Sequence, residues 1–145
     1  MPKNTSRLPI IATTNAQSIN RKADLLSQLP DDAQIDIAVV TETWLHEANT
    51  NLFEAKMSGN YTIFSHTRSG RRGGGVALLI RREYTTSSSL ISTSNNTDQP
   101  ADNVNVEFII VKARPPRLPR GYPNIFICGV YIAKFNKGSS RPSLN

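Results

Sequence analysis

The stretch DIAVVTETWL, residues 36–45, places an acid directly after a run of strand-forming residues. The apolar, mostly β-branched residues from Ile37 to Val40 favour a short strand buried in a sheet. Glu42 follows at the point where this strand leaves the sheet. Because ligands of α/β sheets bind beyond the carboxyl ends of the strands, Glu42 is the first candidate for a functional side chain.

A strand, a helix and a second strand are predicted around this stretch. Residues 8–14 form an apolar, β-branched run, and residues 21–29 carry apolar side chains at helical spacing until a Leu-Pro pair ends them. With the strand at 35–41 they predict a β-α-β unit, whose two strands lie parallel and adjacent. Further strands are predicted at 61–67, 75–82, 104–112 and 124–132. The expected fold class is therefore α/β, with a mixed, mostly antiparallel sheet and one helix.

The remaining segments are polar and set the limits of the domain. Residues 84–103 are rich in serine and threonine, which predicts a long mobile loop. Residues 1–7 are expected to be a disordered N-terminus and residues 133–145 an irregular tail. Residues 8–132 then form one domain, since 145 residues are too few for two domains of ordinary size.

Charge and cysteine content narrow the possible partners and location. Seventeen Lys and Arg against eleven Asp and Glu give a net charge of +6, which favours a polyanionic partner or simply keeps the protein soluble. No apolar run approaches the roughly 20 residues of a membrane helix, and no signal sequence is found, so an intracellular location is expected, with the nucleus as one option. The single cysteine, Cys128, lies among apolar residues and is predicted to be an inert, buried thiol.

Four ordered blocks together resemble one protein family. They are TTNAQSINRKADLL (13–26), DIAVVTETWL (36–45), RSGRRGGGVALLI (68–80) and RPPRLPRGYPNIFICGVY (114–131). The likeness is to the endonuclease/exonuclease/phosphatase family, and within it to the endonuclease domain of non-LTR (LINE-type) retrotransposons. It implies the N-terminal portion of a two-layer α/β sandwich. It also implies hydrolysis of phosphate esters with Mg²⁺ or Mn²⁺, and DNA as a partner.

The resemblance assigns roles to three residues. Asn15 matches an asparagine that helps bind the metal or its water, Glu42 matches a metal-binding glutamate, and Tyr131 matches a tyrosine that contacts substrate phosphate. The residues themselves leave other roles open. Glu42 could cap or salt-bridge a strand end, Asn15 could form a turn with its own backbone, and Tyr131 could be packing surface.

Three arginines are candidates for contact with a nucleic-acid backbone. Arg71 and Arg72 lie in the glycine-rich turn between two predicted strands, and Arg117 lies in the proline-rich segment RPPRLPR. An extended, basic segment of this kind could follow a chain of phosphates. The alternative is that all three arginines are solvated side chains on exposed connections.

Two blocks of the resembled family are missing. The sequence contains no Gly-Asp dipeptide and no Asp-His dipeptide, and both histidines precede residue 70. In the family these blocks supply the acid that orients the attacking water and the histidine that stabilises the phosphate. Because such groups act as a unit, the chain is interpreted as a truncated metal-dependent phosphodiesterase that is inactive alone. The alternative is a small basic protein that binds nucleic acid, or acts as an accessory factor, without catalysis.

Overall fold

The computed structural model describes residues 8–22, 24, 35–57, 59–67, 73–94, 104–116, 118 and 121–134. Seven strands and one α-helix lie entirely within them. In chain order they are β1 Ile11–Asn15, β2 Ile37–Thr41, α1 Glu47–Met57, β3 Tyr61–His66, β4 Val76–Arg81, β5 Ser87–Thr93, β6 Val104–Arg114 and β7 Ile125–Lys134. The predicted disordered N-terminus, residues 1–7, lies outside the described residues.

The strands form two open sheets that pack face to face. The first has the order β1-β2-β4-β3 and the second the order β5-β6-β7. Strands β1 and β2 are parallel, with Asn15 opposite Thr41, whereas the other neighbours are antiparallel. This arrangement confirms the predicted α/β class, the mixed and mostly antiparallel pairing, and the adjacency of the first two strands.

Strand β4 lies at the centre of the protein because both of its faces are covered. One face carries Val76, Leu78 and Ile80, which pack against the second sheet, including Ile109 and Val111 of β6. The other face, with Ala77 and Leu79, packs under α1 and the residues after β1. Five of its six residues are buried, which explains the unbroken apolar run VALLI in place of an alternating pattern.

Helix α1 was not predicted from the sequence. Of the predicted helix at 21–29, only residues 21, 22 and 24 are described: residue 21 ends a 3-10 turn, Ile19–Arg21, and residue 24 is α-helical. The observed helix α1 buries only Phe53 and Met57, so its apolar pattern is too sparse to identify from sequence. Within the described segments, no helix is long and apolar enough to cross a membrane.

The serine-rich segment also departs from the prediction. Residues 87–93, expected to belong to a mobile loop, form β5 and pair with β6 across a register shift between Leu90 and Ser92. This edge strand is joined to β6 by backbone hydrogen bonds, and its side chains are mostly exposed. Its sequence therefore shows no hydrophobic pattern from which a strand could be predicted. Strand β7 likewise continues to Lys134, so it includes the first two residues of the predicted irregular tail, 133–145. Residues 135–145 lie outside the described residues.

The prediction for Cys128 is wrong, because alternation along β7 turns this thiol outward. Cys128 is exposed, together with Phe126, Val130 and Ile132 on the same face. Its neighbour Gly129 points toward the first sheet and is buried. The apolar surroundings in the sequence therefore reflect an exposed apolar face of the second sheet, not the interior.

Candidate functional site

The carboxyl ends of β1 and β2 continue side by side as an irregular pair of segments. Ala16 N donates a hydrogen bond to Thr41 O (2.8 Å), Ser18 N donates to Glu42 O (3.0 Å), and Ile19 N donates to Thr43 O (2.9 Å). The parallel association thus extends past the last strand residues. It fixes the backbone of Glu42 directly beyond the end of the sheet.

The segment after β2 has an unusual backbone conformation. Glu42 and Trp44 have φ angles of 50° and 53°, in the left-handed region that side chains other than glycine rarely adopt. The Gly74–Gly75 turn before β4 holds this segment from the other side, since Trp44 N donates to Gly74 O (2.9 Å) and Thr43 N donates to Gly75 O (3.4 Å). Such conformations persist where surrounding contacts fix them, and they cluster at functional sites.

Tyr131 reaches Glu42 from the second sheet. The Tyr131 hydroxyl donates a hydrogen bond to Glu42 Oε1 at 2.9 Å, and both side chains are partly buried. In the described part of the chain, no residue donates a hydrogen bond to Oε2 of Glu42. Two of the three site residues proposed from sequence are therefore in direct contact, with one carboxylate oxygen open.

Asn15 is paired with Thr41, the residue before Glu42, and its side chain forms a local hydrogen bond. Its Oδ1 accepts a hydrogen bond from Gln17 N at 3.2 Å, which is the local turn left open as an alternative from sequence. The side chain is exposed. Because an amide oxygen has two lone pairs, this turn leaves Oδ1 able to take a second partner.

The donor types at this end of the sheet fit a hard divalent cation. Mg²⁺ prefers oxygen ligands, keeps several waters and often takes only one or two protein carboxylates. Glu42 Oε2 and Asn15 Oδ1 are oxygens of this kind. Among the described residues, no group of three or more His, Cys, Asp or Glu side chains could form a fuller metal site. The residues present fit an ion that is bound mainly by one carboxylate and water.

The structure does not describe the three arginines proposed from sequence. Arg71, Arg72 and Arg117 all lie outside the described residues. Arg114, which is described, ends β6 and lines a cavity of about 350 Å³ together with prolines and Tyr122 of the β6–β7 connection. That connection enters β7 at Ile125, six residues before Tyr131. Six residues of a strand span about 20 Å.

Sequence reasoning missed a buried acid behind the site. Glu107 on β6 is 3% exposed, and its Oε2 accepts a hydrogen bond from Gly75 N at 2.6 Å. Its Oε1 accepts from Asn105 Nδ2 at 3.0 Å. The available signal was a lone acid at an inward position of the apolar strand VNVEFIIVKA, since an acid is rarely buried without partners.

Comparison with known proteins identifies the family. Residues 12–129 match the Endonuclease/Exonuclease/phosphatase family. The chain belongs to this family. Members of the endonuclease/exonuclease/phosphatase family generally use divalent metal ions, in agreement with the oxygen donors found at the end of β2. No curated protein matches the sequence of the chain.

Several solved structures share the fold at low sequence identity. The AP endonuclease LMAP from Leishmania major superimposes with a TM-score of 0.57 and 14% identity, over 83% of this chain and 39% of that one. The human Nocturnin catalytic domain gives 0.54 and 14%, over 90% and 51%. D. rerio TDP2 complexed with a single-strand DNA product gives 0.52 and 13%, over 90% and 48%. The chain thus spans about half the length of these structures, or less.

Proposed function

We propose that the chain is part of a metal-dependent phosphodiesterase, an endonuclease domain of the non-LTR retrotransposon type that acts on DNA. The observation that carries the proposal is the hydrogen bond from Tyr131 to Glu42, within a chain of the endonuclease/exonuclease/phosphatase family. This hydrogen bond joins the acid after β2 to the tyrosine of β7. The family resemblance assigns metal binding to the acid and phosphate contact to the tyrosine.

Each residue of the site has a chemical task in this proposal. Glu42 Oε2 and Asn15 Oδ1 would hold Mg²⁺ or Mn²⁺, which stabilises charge on a phosphate and assists the activation of water when bound. Tyr131 fixes the orientation of the Glu42 carboxylate through its 2.9 Å hydrogen bond. Because a phenol has a single O–H donor, a hydrogen bond from Tyr131 to a phosphate oxygen would replace its hydrogen bond to Glu42.

The proposal includes inactivity of the isolated chain. The sequence holds no Gly-Asp and no Asp-His dipeptide, and neither of its histidines follows residue 70. The sequence therefore lacks the two family blocks that would supply an acid to orient water and a histidine to stabilise the phosphate. Since the residues of such a site act as a unit, the remaining metal ligand gives binding without turnover.

The proposed partner is DNA, for two reasons. The net charge of +6 favours a polyanion, and D. rerio TDP2, which has the same fold, is known in complex with single-strand DNA. Arg71, Arg72 and Arg117 are proposed to contact the phosphate backbone, with an affinity that falls steeply as salt is raised.

Binding of Mn²⁺ tests the metal site independently of turnover. We expect the native chain to bind one Mn²⁺ by isothermal titration calorimetry, and Glu42→Ala to lose that binding. Glu83→Ala is the matched control, because Glu83 is an exposed acid beyond the opposite end of β4. Equal binding by all three proteins would contradict the metal site.

The second candidate function is a small basic protein that binds nucleic acid without catalysis or metal. The net charge and the missing blocks favour it as much as they favour an inactive nuclease domain. The two functions differ in the role of Glu42. Binding of DNA that is unaffected both by Mn²⁺ and by Glu42→Ala would support the second candidate.

A further inference from the structure

Glu107 occupies a position between the two sheets that the proposed reaction does not use. Its carboxylate is buried, and its oxygens accept hydrogen bonds from Gly75 N (2.6 Å) and from Asn105 Nδ2 (3.0 Å). A carboxylate that accepts from a backbone N–H forms a stronger bond than a neutral acceptor does. Glu107 therefore ties the turn before β4 firmly to β6.

Gly75 is held on its other side by the segment after β2. It has a φ of 92°, and a Cβ at this position would collide with Thr43 Oγ1 and lie 3.3 Å from His66 O. The turn thus approaches Thr43 as closely as a glycine permits. A shift of Gly75 away from Glu107 would alter its contact with Thr43.

The same turn supplies two acceptors to the strained segment. Thr43 N and Trp44 N donate to the carbonyl oxygens of Gly75 and Gly74. They follow Glu42 directly, and Glu42 has a φ of 50°. The backbone of Glu42 is thereby linked to Glu107 through a continuous series of hydrogen bonds, from β6 through the turn to the end of β2.

We propose that Glu107 is a positioning residue that fixes the orientation of Glu42 through the Gly74–Gly75 turn. The inference rests on the proposed function of Glu42 as a metal ligand. Outer residues that orient metal ligands typically contribute about 10- to 100-fold to metal affinity. In this role Glu107 acts through its hydrogen bond with Gly75 N and is not itself a proposed metal ligand.

The first test is structural and needs no metal. Glu107→Met removes the acceptor and keeps the side-chain volume close to the original, whereas Glu107→Gln retains one acceptor oxygen. Val111→Ala is the control, because Val111 is a fully buried residue on the same face of the same strand. In ¹H–¹⁵N NMR spectra we expect Glu107→Met to shift the amides of residues 42–45, Glu107→Gln to shift them less, and Val111→Ala to leave them in place.

The second test measures binding of Mn²⁺ by the same variants. We expect affinity to fall about 10-fold in Glu107→Met relative to Val111→Ala. Unchanged amides at residues 42–45, with the Gly75 amide displaced, would overturn the proposal. If the native chain binds no Mn²⁺, the proposed function fails, and the amide shifts alone decide the role of Glu107.

A third measurement covers the case in which Glu107→Met does not fold. Amide hydrogen exchange of the native chain reports which groups open together. We expect the amides of Gly75, Thr43 and Trp44 to exchange with a common opening free energy, because the hydrogen bonds link them. Exchange of Thr43 and Trp44 at rates unrelated to that of Gly75 would overturn the proposal.

Discussion

The hydroxyl of Tyr131 and the carboxylate of Glu42 are 2.9 Å apart, although 89 residues separate them in the chain. Tyr131 belongs to the second sheet, and Glu42 follows a strand of the first. Their hydrogen bond therefore depends on the packing of the two sheets. A site assembled in this way should respond both to changes at the two residues and to changes in that packing.

Removal of the Tyr131 hydroxyl should lower the affinity for Mn²⁺ and should reduce the stability of the fold only slightly. Tyr131→Phe keeps the ring and deletes the donor to Glu42, so the free energy of unfolding should fall by about 1 kcal/mol. Affinity for Mn²⁺ should fall because the carboxylate loses a fixed orientation. Chemical denaturation and calorimetry measure the two effects. Tyr122→Phe is the control, since Tyr122 is 67% exposed. An unchanged affinity for Mn²⁺ in Tyr131→Phe would count against the role of this hydrogen bond.

The purified chain should not cleave DNA. With supercoiled plasmid and Mg²⁺ or Mn²⁺, we expect no nicking above the background given by Glu42→Ala, because the acid and the histidine of the missing blocks are absent. The assay compares both proteins at equal concentration. Robust nicking by the native chain that Glu42→Ala abolishes would show that its own residues complete the site.

Binding of DNA should depend strongly on salt and on three arginines. Each phosphate contact contributes about 0.9 to the slope of log K against log salt for duplex DNA. Replacement of Arg71, Arg72 and Arg117 by alanine should therefore lower the slope by about 2 to 3 if each binds one phosphate. Fluorescence anisotropy at several salt concentrations measures this slope. An identical slope in the triple variant would show that these arginines are solvated side chains.

The contact between the sheets should tolerate no added volume at Gly129. A Cβ at this position would lie 3.1 Å from Val76 Cγ1, 3.2 Å from Val39 Cγ1 and 3.3 Å from Ile109 Cγ2. Gly129→Ala should lower the free energy of unfolding by about 1–3 kcal/mol through overpacking. Cys128→Ala, on the exposed face of the same strand, should change it by less than about 0.5 kcal/mol. Equal stability of Gly129→Ala and the native chain in denaturant would contradict this packing.

Hydrophobic patterns predicted the six strands that contain apolar runs, and missed helix α1 and strand β5, which bury few side chains. The run VALLI of β4 and the stretch before Glu42 were identified because both strands lie inside the protein. Helix α1 was not predicted because it buries only Phe53 and Met57. At its beginning, Asn49 Oδ1 accepts a hydrogen bond from His46 N at 2.8 Å. This pairing departs from the usual capping sequence of Ser or Thr followed by Glu.

The candidate site was predictable in its residue types and not in its connections. The family resemblance identified Glu42, Tyr131 and Asn15 as candidate site residues. Their roles in binding metal and phosphate remain predictions. Their geometry follows from strand pairing: β2 lies beside β1, and β7 packs across the sheet interface. Glu107 was overlooked because its contact with the turn is made to the backbone amide of Gly75, which no pattern of side chains can show.

Strand β7 is apolar on both faces, so hydrophobicity alone does not determine its register. Ile125, Ile127 and Tyr131 pack toward the first sheet, whereas Phe126, Val130 and Ile132 point outward. A slip by one residue would exchange two faces of similar character, a change that is costly only where the faces differ. They differ most at Gly129, because a neighbouring side chain moved into its place would meet Val76, Val39 and Ile109. The absence of a side chain at Gly129 thus selects one register for β7, and in this register Tyr131 reaches Glu42.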